Sequence, residues 1–438
     1  MPQHDDAASP MPKVLYDVSL IGSACTNPHG RAGIFRVVLE ILEGLLRTNQ
    51  PPLVCALSSS RDRHKAANFF RDETSIHLHA EGSTAFSRPL LDAIVRRKRT
   101  FLIRQITRLI IDPLVAILER QTLRKLLLDA DVYHTPMYPV PQIVRDMGIP
   151  SVITLYDLTP LLMPEWHQQE TTRYFREKLL PSIREEDHVV CISEATRKDL
   201  LRLRPDLSGS RVSVVHLAAS REKFHPPQNP GETIEARKLV GVPDGARYVL
   251  TLNTLEPRKN LEAAIQAFRQ VCLTSRIDDV YLVLAGAKGW LKEELLKEVP
   301  EALRSRILMP GFIADEHLPG LYAGCDAFLY LSHYEGFGLP PLEAMCCGAA
   351  VICSNSSSLP EVVGDAAILV PPNDIESISS ALLQVLEDRA LQQDLSKRSL
   401  ARAEVFSWDS TVRAYADVYQ AVHKERCESS CSSRAPIA

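Results

Sequence analysis

One stretch, Ala327 to Gly348 (AFLYLSHYEGFGLPPLEAMCCG), constrains the fold more than any other. Its first part is an apolar run rich in aromatic and branched residues and reads as a buried strand. After Pro340 the pattern reads as a helix with proline tolerated in its first turn. Between them Gly336 and Gly338 let backbone approach a ligand, and the helix start predicts free N–H groups and a positive dipole end turned to an anion. Glu335 and Glu343 flank that anion site. Carboxylates repel phosphate, so acids placed here are expected to accept hydrogen bonds from hydroxyl groups, as on a ribose or a sugar. The ligand chemistry indicated is a sugar joined to a phosphate.

The strand, Gly-containing loop and helix recur along the chain. KVLYDVSLIG reads as a strand, followed by a loop with Gly30 and Gly33 and by RVVLEILEGLL, whose apolar residues recur at helical spacing. Arg31 or Arg36 there either faces a phosphate or acceptor or is a solvated arginine on a plain connection. PLVCALSS, DVYHTP, SVITLYDLTPLL and HVVCISEATRKDLLR continue an alternation that predicts an α/β protein with parallel sheets. Such sheets bind ligands at the carboxyl ends of their strands, which makes His134 and the pair Tyr156 and Asp157 cleft candidates. Asp129 and Asp131 form a DxD, read as loop acids and assigned no metal. Pro226, Pro227 and Pro230 in a polar stretch mark a linker, and a second domain is expected from about residue 230. Its first crossover, YVLTLNTLEPRKNLEAAIQAF, sets Arg258 and Lys259 at a strand end. Arginine forks to two oxygens and lysine supplies a point charge, a combination suited to a diphosphate. VYLVLAGAKGW adds a strand ending at Gly286.

A chain of 438 residues with 45% hydrophobic and 24% charged residues exceeds the size of one core, so two domains are the default. The net charge of −4 argues against nucleic acid as a partner. Ten cysteines without CxxC spacing, and an opening without an apolar core, lead to the expectation of a reducing cytoplasmic compartment. No apolar run of about 18 residues is present, so no span is expected. Residues 96–128 interleave arginine and lysine with Phe101, Leu102, Ile103, Ile106, Leu109 and Ile110. That pattern fits a helix on an anionic membrane surface, and more simply a pair of helices, broken near Pro113, packed on the domain core. No P-loop, and no Rossmann fingerprint with its acid, is present, which argues against an NTPase or a dehydrogenase.

The pair Glu335-x7-Glu343, PRKN at 257–260, PGF at 310–312 and SLPEVVGDAAILVPPND at 358–374 together resemble the retaining glycosyltransferases of family four. TLYDLTPLLMPEWH, CISEATRKDL and GAKGW are similar to the mannosyltransferase-like branch of bacterial O-antigen and surface-polysaccharide synthesis. The resemblance covers roughly residues 13–425. It implies a GT-B architecture, two Rossmann-like doubly wound domains facing across a cleft. The expected division is 1–12 disordered, 13–229 for the acceptor, 230–405 for the nucleotide sugar, a helix over 406–425 crossing back, and a disordered tail over 426–438. By the resemblance, Glu335 contacts the transferred sugar, with Asp157 beside the reaction, and Arg258 and Lys259 neutralise the leaving diphosphate without a metal or other cofactor. Glu343 accepts from the ribose, and backbone at Gly336, Phe337, Gly338 and Leu339 adds to donor binding, with Asn253 and Gly286 nearby. Gly33, Arg36, His134 and Tyr156 are expected on the acceptor side. Many relatives carry His where Tyr156 stands and Gly where Asn253 stands, so both positions depart from the family pattern. The implied reaction transfers a hexose, mannose from GDP-mannose first, to a glycan or lipid-linked saccharide, in the cytoplasm or peripherally on the membrane's inner face. A UDP-sugar donor (glucose or N-acetylhexosamine) and a non-catalytic nucleotide-sugar-binding assembly protein stay open.

Overall fold

The computed structural model describes residues 11–25, 33–57, 60–74, 76, 121, 123–254, 256–275, 277–286, 296–297 and 299–432. Gly30, Arg31, residues 96–120 and the GAKGW residues 287–290 therefore lie outside the described residues.

Short apolar runs separated by amphipathic segments fold into two parallel sheets. The first comprises β1 (Val14–Asp17), β2 (Leu53–Cys55), β3 (Val132–Pro136), β4 (Ser151–Leu155), β5 (His188–Cys191) and β6 (Val212–Val214), in the order β2-β1-β3-β4-β5-β6. The second comprises β7 (Arg247–Leu252), β8 (Val280–Ala285), β9 (Ile307–Gly311), β10 (Ala327–Tyr330), β11 (Val351–Ser354) and β12 (Ala367–Val370), in the order β12-β11-β10-β7-β8-β9. In the second sheet the chain runs outward from β7 through β8 to β9, then returns to the other side of β7 as β10. The crossovers diverge there, which opens a crevice at the carboxyl ends of β7 and β10.

Period-two alternation sorts strand side chains between two buried clusters. Tyr248, Leu250, Phe328, Tyr330 and Cys353 join a core that continues into the first sheet, whereas Val249, Leu282, Leu329 and Ile352 pack beneath helix α3 (Leu261–Thr274) on the other face. Helix α1 (Ile34–Leu46) buries Phe35, Val38, Ile41, Leu42 and Leu45, the helical spacing its sequence shows. Helix α2 (Glu194–Leu203) starts at Ser193, whose hydroxyl caps the Thr196 N–H at 3.1 Å.

The last helix runs Trp408–Ser432 and lies against the first sheet and α1. It extends past residue 425, so the tail expected to be disordered from 426 is helical through Ser432. Gly44 of α1 faces it so closely that an added Cβ would stand 2.4 Å from Val412. Its Tyr415 and Tyr419 are fully buried and explain His134. That imidazole joins the Tyr419 hydroxyl at 2.7 Å and the Thr154 hydroxyl at 2.8 Å, and Thr154 meets the Tyr415 hydroxyl at 3.0 Å. His134 is thus a core tie between β3 and the last helix, a correction to its expected place in the cleft. The carboxyl end of a strand borders the cleft only for side chains on the facing side, and His134 points to the other.

Burial holds the His134 proton affinity down at about 3, below the usual 6.5. The folded protein keeps the ring neutral while the unfolded chain protonates below 6.5, so this contribution falls as pH drops from 6.5 toward 3. His134→Gln removes that dependence. The stability gap between wild type and variant, measured by urea unfolding, is expected to narrow by about 2 kcal/mol between pH 7.5 and pH 5. A constant gap would show that the ring is not buried neutral.

Candidate active site

The carboxyl ends of β7 and β10 carry the charged cluster. After β7 the chain makes a tight turn at Pro257–Lys259 and reverses at Asn260, whose φ of 54° is a conformation asparagine tolerates. The Asn260 amide anchors that turn by donating to the Pro372 carbonyl at 2.6 Å. After β10, the His333 N–H donates to the Arg258 carbonyl at 3.0 Å and the Arg258 guanidinium returns a bond to the Tyr334 carbonyl at 2.7 Å. The two loops are therefore bound to each other by backbone as well as side chains.

Glu335 sits between them. Its carboxylate accepts from Lys259 Nζ at 2.6 Å, Arg258 at 3.0 Å and the Tyr330 hydroxyl at 2.9 Å. Its own N–H donates to Ser357 Oγ at 2.8 Å and its carbonyl accepts from Ser358 Oγ at 2.9 Å. Burial pushes the Glu335 carboxyl up, but Lys259 and Arg258 outweigh it and hold the group down at about 2. The acid is ionised, and against it stand two cations. Burial pulls Lys259 down while Glu335 supports its charge. Arg258 also meets Glu256 at 3.6 Å, yet its Nε has no partner among the described residues. Two buried cations against one buried acid, with a donor unused among the described residues, can receive an anion.

Helix α4 (Leu339–Cys346) carries Glu343, buried under the cleft. Its carboxylate accepts from Arg36 of α1 at 2.7 Å and from the Tyr322 hydroxyl at 3.1 Å. Burial raises its proton affinity and Arg36 opposes that. Arg36 also reaches Asp315 at 3.6 Å and lies 5.7 Å from the Phe224 ring centre. Arg36 is thus joined to the acid expected to hold the donor, and the pair ties the two halves together.

The remaining expected residues divide between cleft and scaffold. Gly336 is a contact between halves: a Cβ there would lie 2.0 Å from the Tyr156 carbonyl oxygen and 2.8 Å from Asp157 Cβ. Phe337 packs on His216 and Phe406, with centroids 6.0 and 5.8 Å away. Gly338 has φ of 124°, which glycine alone adopts readily, and precedes α4. Leu339, half-buried, opens that helix; Pro340 and Pro341 have no N–H, and the Leu342 N–H already bonds the Gly338 carbonyl at 3.2 Å. Of the first-turn N–H groups expected to face an anion, Pro340 and Pro341 thus supply none and that of Leu342 is already used. Gly286, φ 139°, lets β8 end against Asn253, whose carbonyl oxygen an added Cβ would approach to 1.7 Å. Asn253 donates to Thr251 Oγ1 at 2.9 Å, and its buried Oδ1 has no partner among the described residues. Tyr156 turns its side chain into the core, its hydroxyl buried and unpartnered among the described residues, so only its backbone reaches the interface. Asp157 accepts from the Thr159 hydroxyl at 2.9 Å and is near enough to raise the proton affinity of Arg258. Gly33, φ 57°, begins α1. Asp129 pairs with Lys13 at 2.6 Å at the amino ends of the strands, opposite the site.

Several partners escaped the sequence reading. Tyr330, read only as part of a buried strand, and Tyr322, not singled out, bond Glu335 and Glu343 through their hydroxyls. Glu361 of helix α5 (Leu359–Val363) accepts from the Glu194 N–H at 2.8 Å, at the start of α2, and from His216 at 2.6 Å, which latches the halves. Trp166 stacks on His333 with centroids 5.3 Å apart. Only the SLPEVVG match hinted at Glu361.

Comparison with solved structures gives the class. Sucrose-phosphate synthase from Thermosynechococcus elongatus aligns with a TM-score of 0.63 at 20% identity, over 95% of this chain and 100% of that one. Anabaena HepE in complex with UDP and glucose aligns at 0.62 and 17% identity, over 94% and 100%. The shared fold is GT-B. Sequence comparison is narrower: the model for glycosyl transferases group 1 matches residues 232–402 and that for Glycosyltransferase Family 4 matches residues 31–222. O-antigen chain mannosyltransferase B of Escherichia coli is 35% identical over 289 residues, 65% of this chain and 74% of that protein. Serotype-specific mannosyltransferase WbdA of Escherichia coli is 32% identical over 284 residues, 64% of this chain but 34% of WbdA, so the match spans about a third of that longer protein. The chain belongs to glycosyltransferase family 4.

Gly336→Ala is expected to force the Tyr156–Asp157 backbone away and to lower stability by roughly 1–3 kcal/mol, seen as a lower melting temperature in calorimetry. An unchanged melting temperature would show that the loops do not touch in solution.

Proposed function

We propose that this glycosyltransferase moves a hexose, mannose from GDP-mannose in the leading reading, to a saccharide acceptor of a surface polysaccharide with retention at the anomeric carbon. The observation carrying this is the buried Glu335, Arg258 and Lys259 cluster at the crevice between β7 and β10. The names of the Escherichia coli relatives support mannose and an O-antigen type of acceptor.

In this reading the diphosphate lies against Arg258 and Lys259, and the hexose lies between Glu335 and Asp157. As the bond from the anomeric carbon to the phosphate oxygen breaks, negative charge grows on the diphosphate, where preorganised cations stabilise it without a metal. The acceptor oxygen bonds to the anomeric carbon on the face the phosphate leaves, and its proton passes to the departing phosphate oxygen. Glu335 balances the cations and faces the positive charge that develops on the sugar. A carboxylate offers about four acceptor sites, of which Arg36 and Tyr322 use two on Glu343, leaving two for ribose hydroxyls. The basic and apolar interleaving of 96–128 supports a peripheral seat on an anionic membrane surface; among the described residues no helix is long and apolar enough to cross one.

A thermal-shift panel of GDP-mannose, UDP-glucose, ADP-glucose and dTDP-glucose tests the donor, since a ligand that binds only the folded state raises its melting temperature. GDP-mannose is expected to give the largest shift; a shift with UDP-glucose alone would retire mannose. Lys259→Ala is expected to lower kcat by roughly a hundredfold or more with nucleotide binding weakened less, and unchanged turnover would remove the leaving-group role.

A further inference from the structure

The turn Pro164–Trp166 ends at His167, a residue with no part in the site so far. Its Nε2 is shut off from solvent and has no hydrogen-bond partner among the described residues. The surroundings are those of the reaction centre. Burial lowers the proton affinity of the ring, Asp157 of the same half raises it, and Arg258 and Glu256 of the other half lower and raise it, as does Glu165 upward. Groups from both sides of the cleft are therefore within electrostatic reach of one imidazole. The turn that bears the ring is also held in place. Trp166 stacks on His333, two residues before Glu335, with the planes 27° apart, so the turn bearing His167 is docked on the loop bearing the acid.

A buried polar atom left unpaired costs about 1–3 kcal/mol, and such atoms in native proteins usually have a partner. The missing partner here has a definable chemistry. The diphosphate already has Arg258 and Lys259, and a neutral imidazole adds little to an anion. A hydroxyl can both donate to and accept from a ring nitrogen, whichever tautomer is present. Resting on the glycosyltransferase reading, we propose that His167 is a sugar-recognition residue, its Nε2 hydrogen bonding a hydroxyl of the donor's transferred hexose. Tyr156 leaves this place free, because its side chain is withdrawn into the core. Asp157 and His167 then grip the hexose from the first half while Glu335 holds it from the second.

The test compares wild type, His167→Leu and His167→Gln in calorimetry. Each is titrated with the nucleotide sugar that most stabilises wild type in the panel above, and with the matching nucleoside diphosphate. His167→Leu is expected to weaken the nucleotide sugar roughly tenfold and leave the nucleoside diphosphate unchanged, with His167→Gln recovering part of the loss through its amide. Equal weakening of both ligands would show that the ring acts through Arg258, and no change in either would show that it touches no ligand; both overturn the proposal. A loss confined to the KM of the acceptor would overturn it too. If wild type binds no nucleotide sugar of the panel, the glycosyltransferase reading itself falls. If wild type prefers the sugar-bearing ligand and His167→Leu keeps that preference, only His167 loses its role.

Discussion

Glu335, Lys259 and Arg258 form a buried ion cluster that cannot be stable in parts. Each charge taken from water is expensive, and removing one partner leaves the others uncompensated. The cluster is therefore built from both sides of the β7 and β10 crevice, and the surrounding bonds serve to keep it assembled. Ser357 and Ser358 grip the Glu335 backbone, Tyr330 bonds its carboxylate and Tyr334 accepts from Arg258. Cations held in this way are fixed in place before any ligand arrives.

The two halves meet through contacts with the same character. Gly336 lies against the Tyr156–Asp157 backbone, Arg36 reaches Glu343, and Glu361 caps α2 while holding His216. Each contact joins a loop or a helix of the second half to the first half. The last helix adds a larger apolar tie, with Tyr415 and Tyr419 locked to β3 and β4 through His134 and Thr154. The loop that carries the acid Glu335 also carries Gly336, the glycine set against the opposite half.

Much of this was legible from local pattern. Strand, Gly loop and helix alternation announced the parallel sheets, and Arg258, Lys259 and Glu335 stood at strand ends where ligands bind. What misled was direction. His134 and Tyr156 also stand at strand ends, but their side chains face the core, and a single strand does not say which face will be covered by a helix some 280 residues later, as Tyr419 covers His134, the two lying 285 positions apart. Arg36 and Glu343, 307 positions apart, carried no mark of being partners. Phe337 and Gly336 sit in the loop expected to bind the donor, yet the loop's tight path turns one to the core and the other to the opposite half.

By itself, then, the amino-acid sequence determined the α/β class, the position of the crevice and the charged groups that end there, because strand alternation and loop chemistry are local properties. Only the tertiary structure decided which of those groups face one another. It placed Glu335 between two cations, gave Glu343 to Arg36, and left His167 near Asp157 and Arg258 with a nitrogen unpaired among the described residues. The reason is physical: pairing of buried charges depends on how two sheets and a returning helix pack, and that packing sums contacts spread over the whole chain.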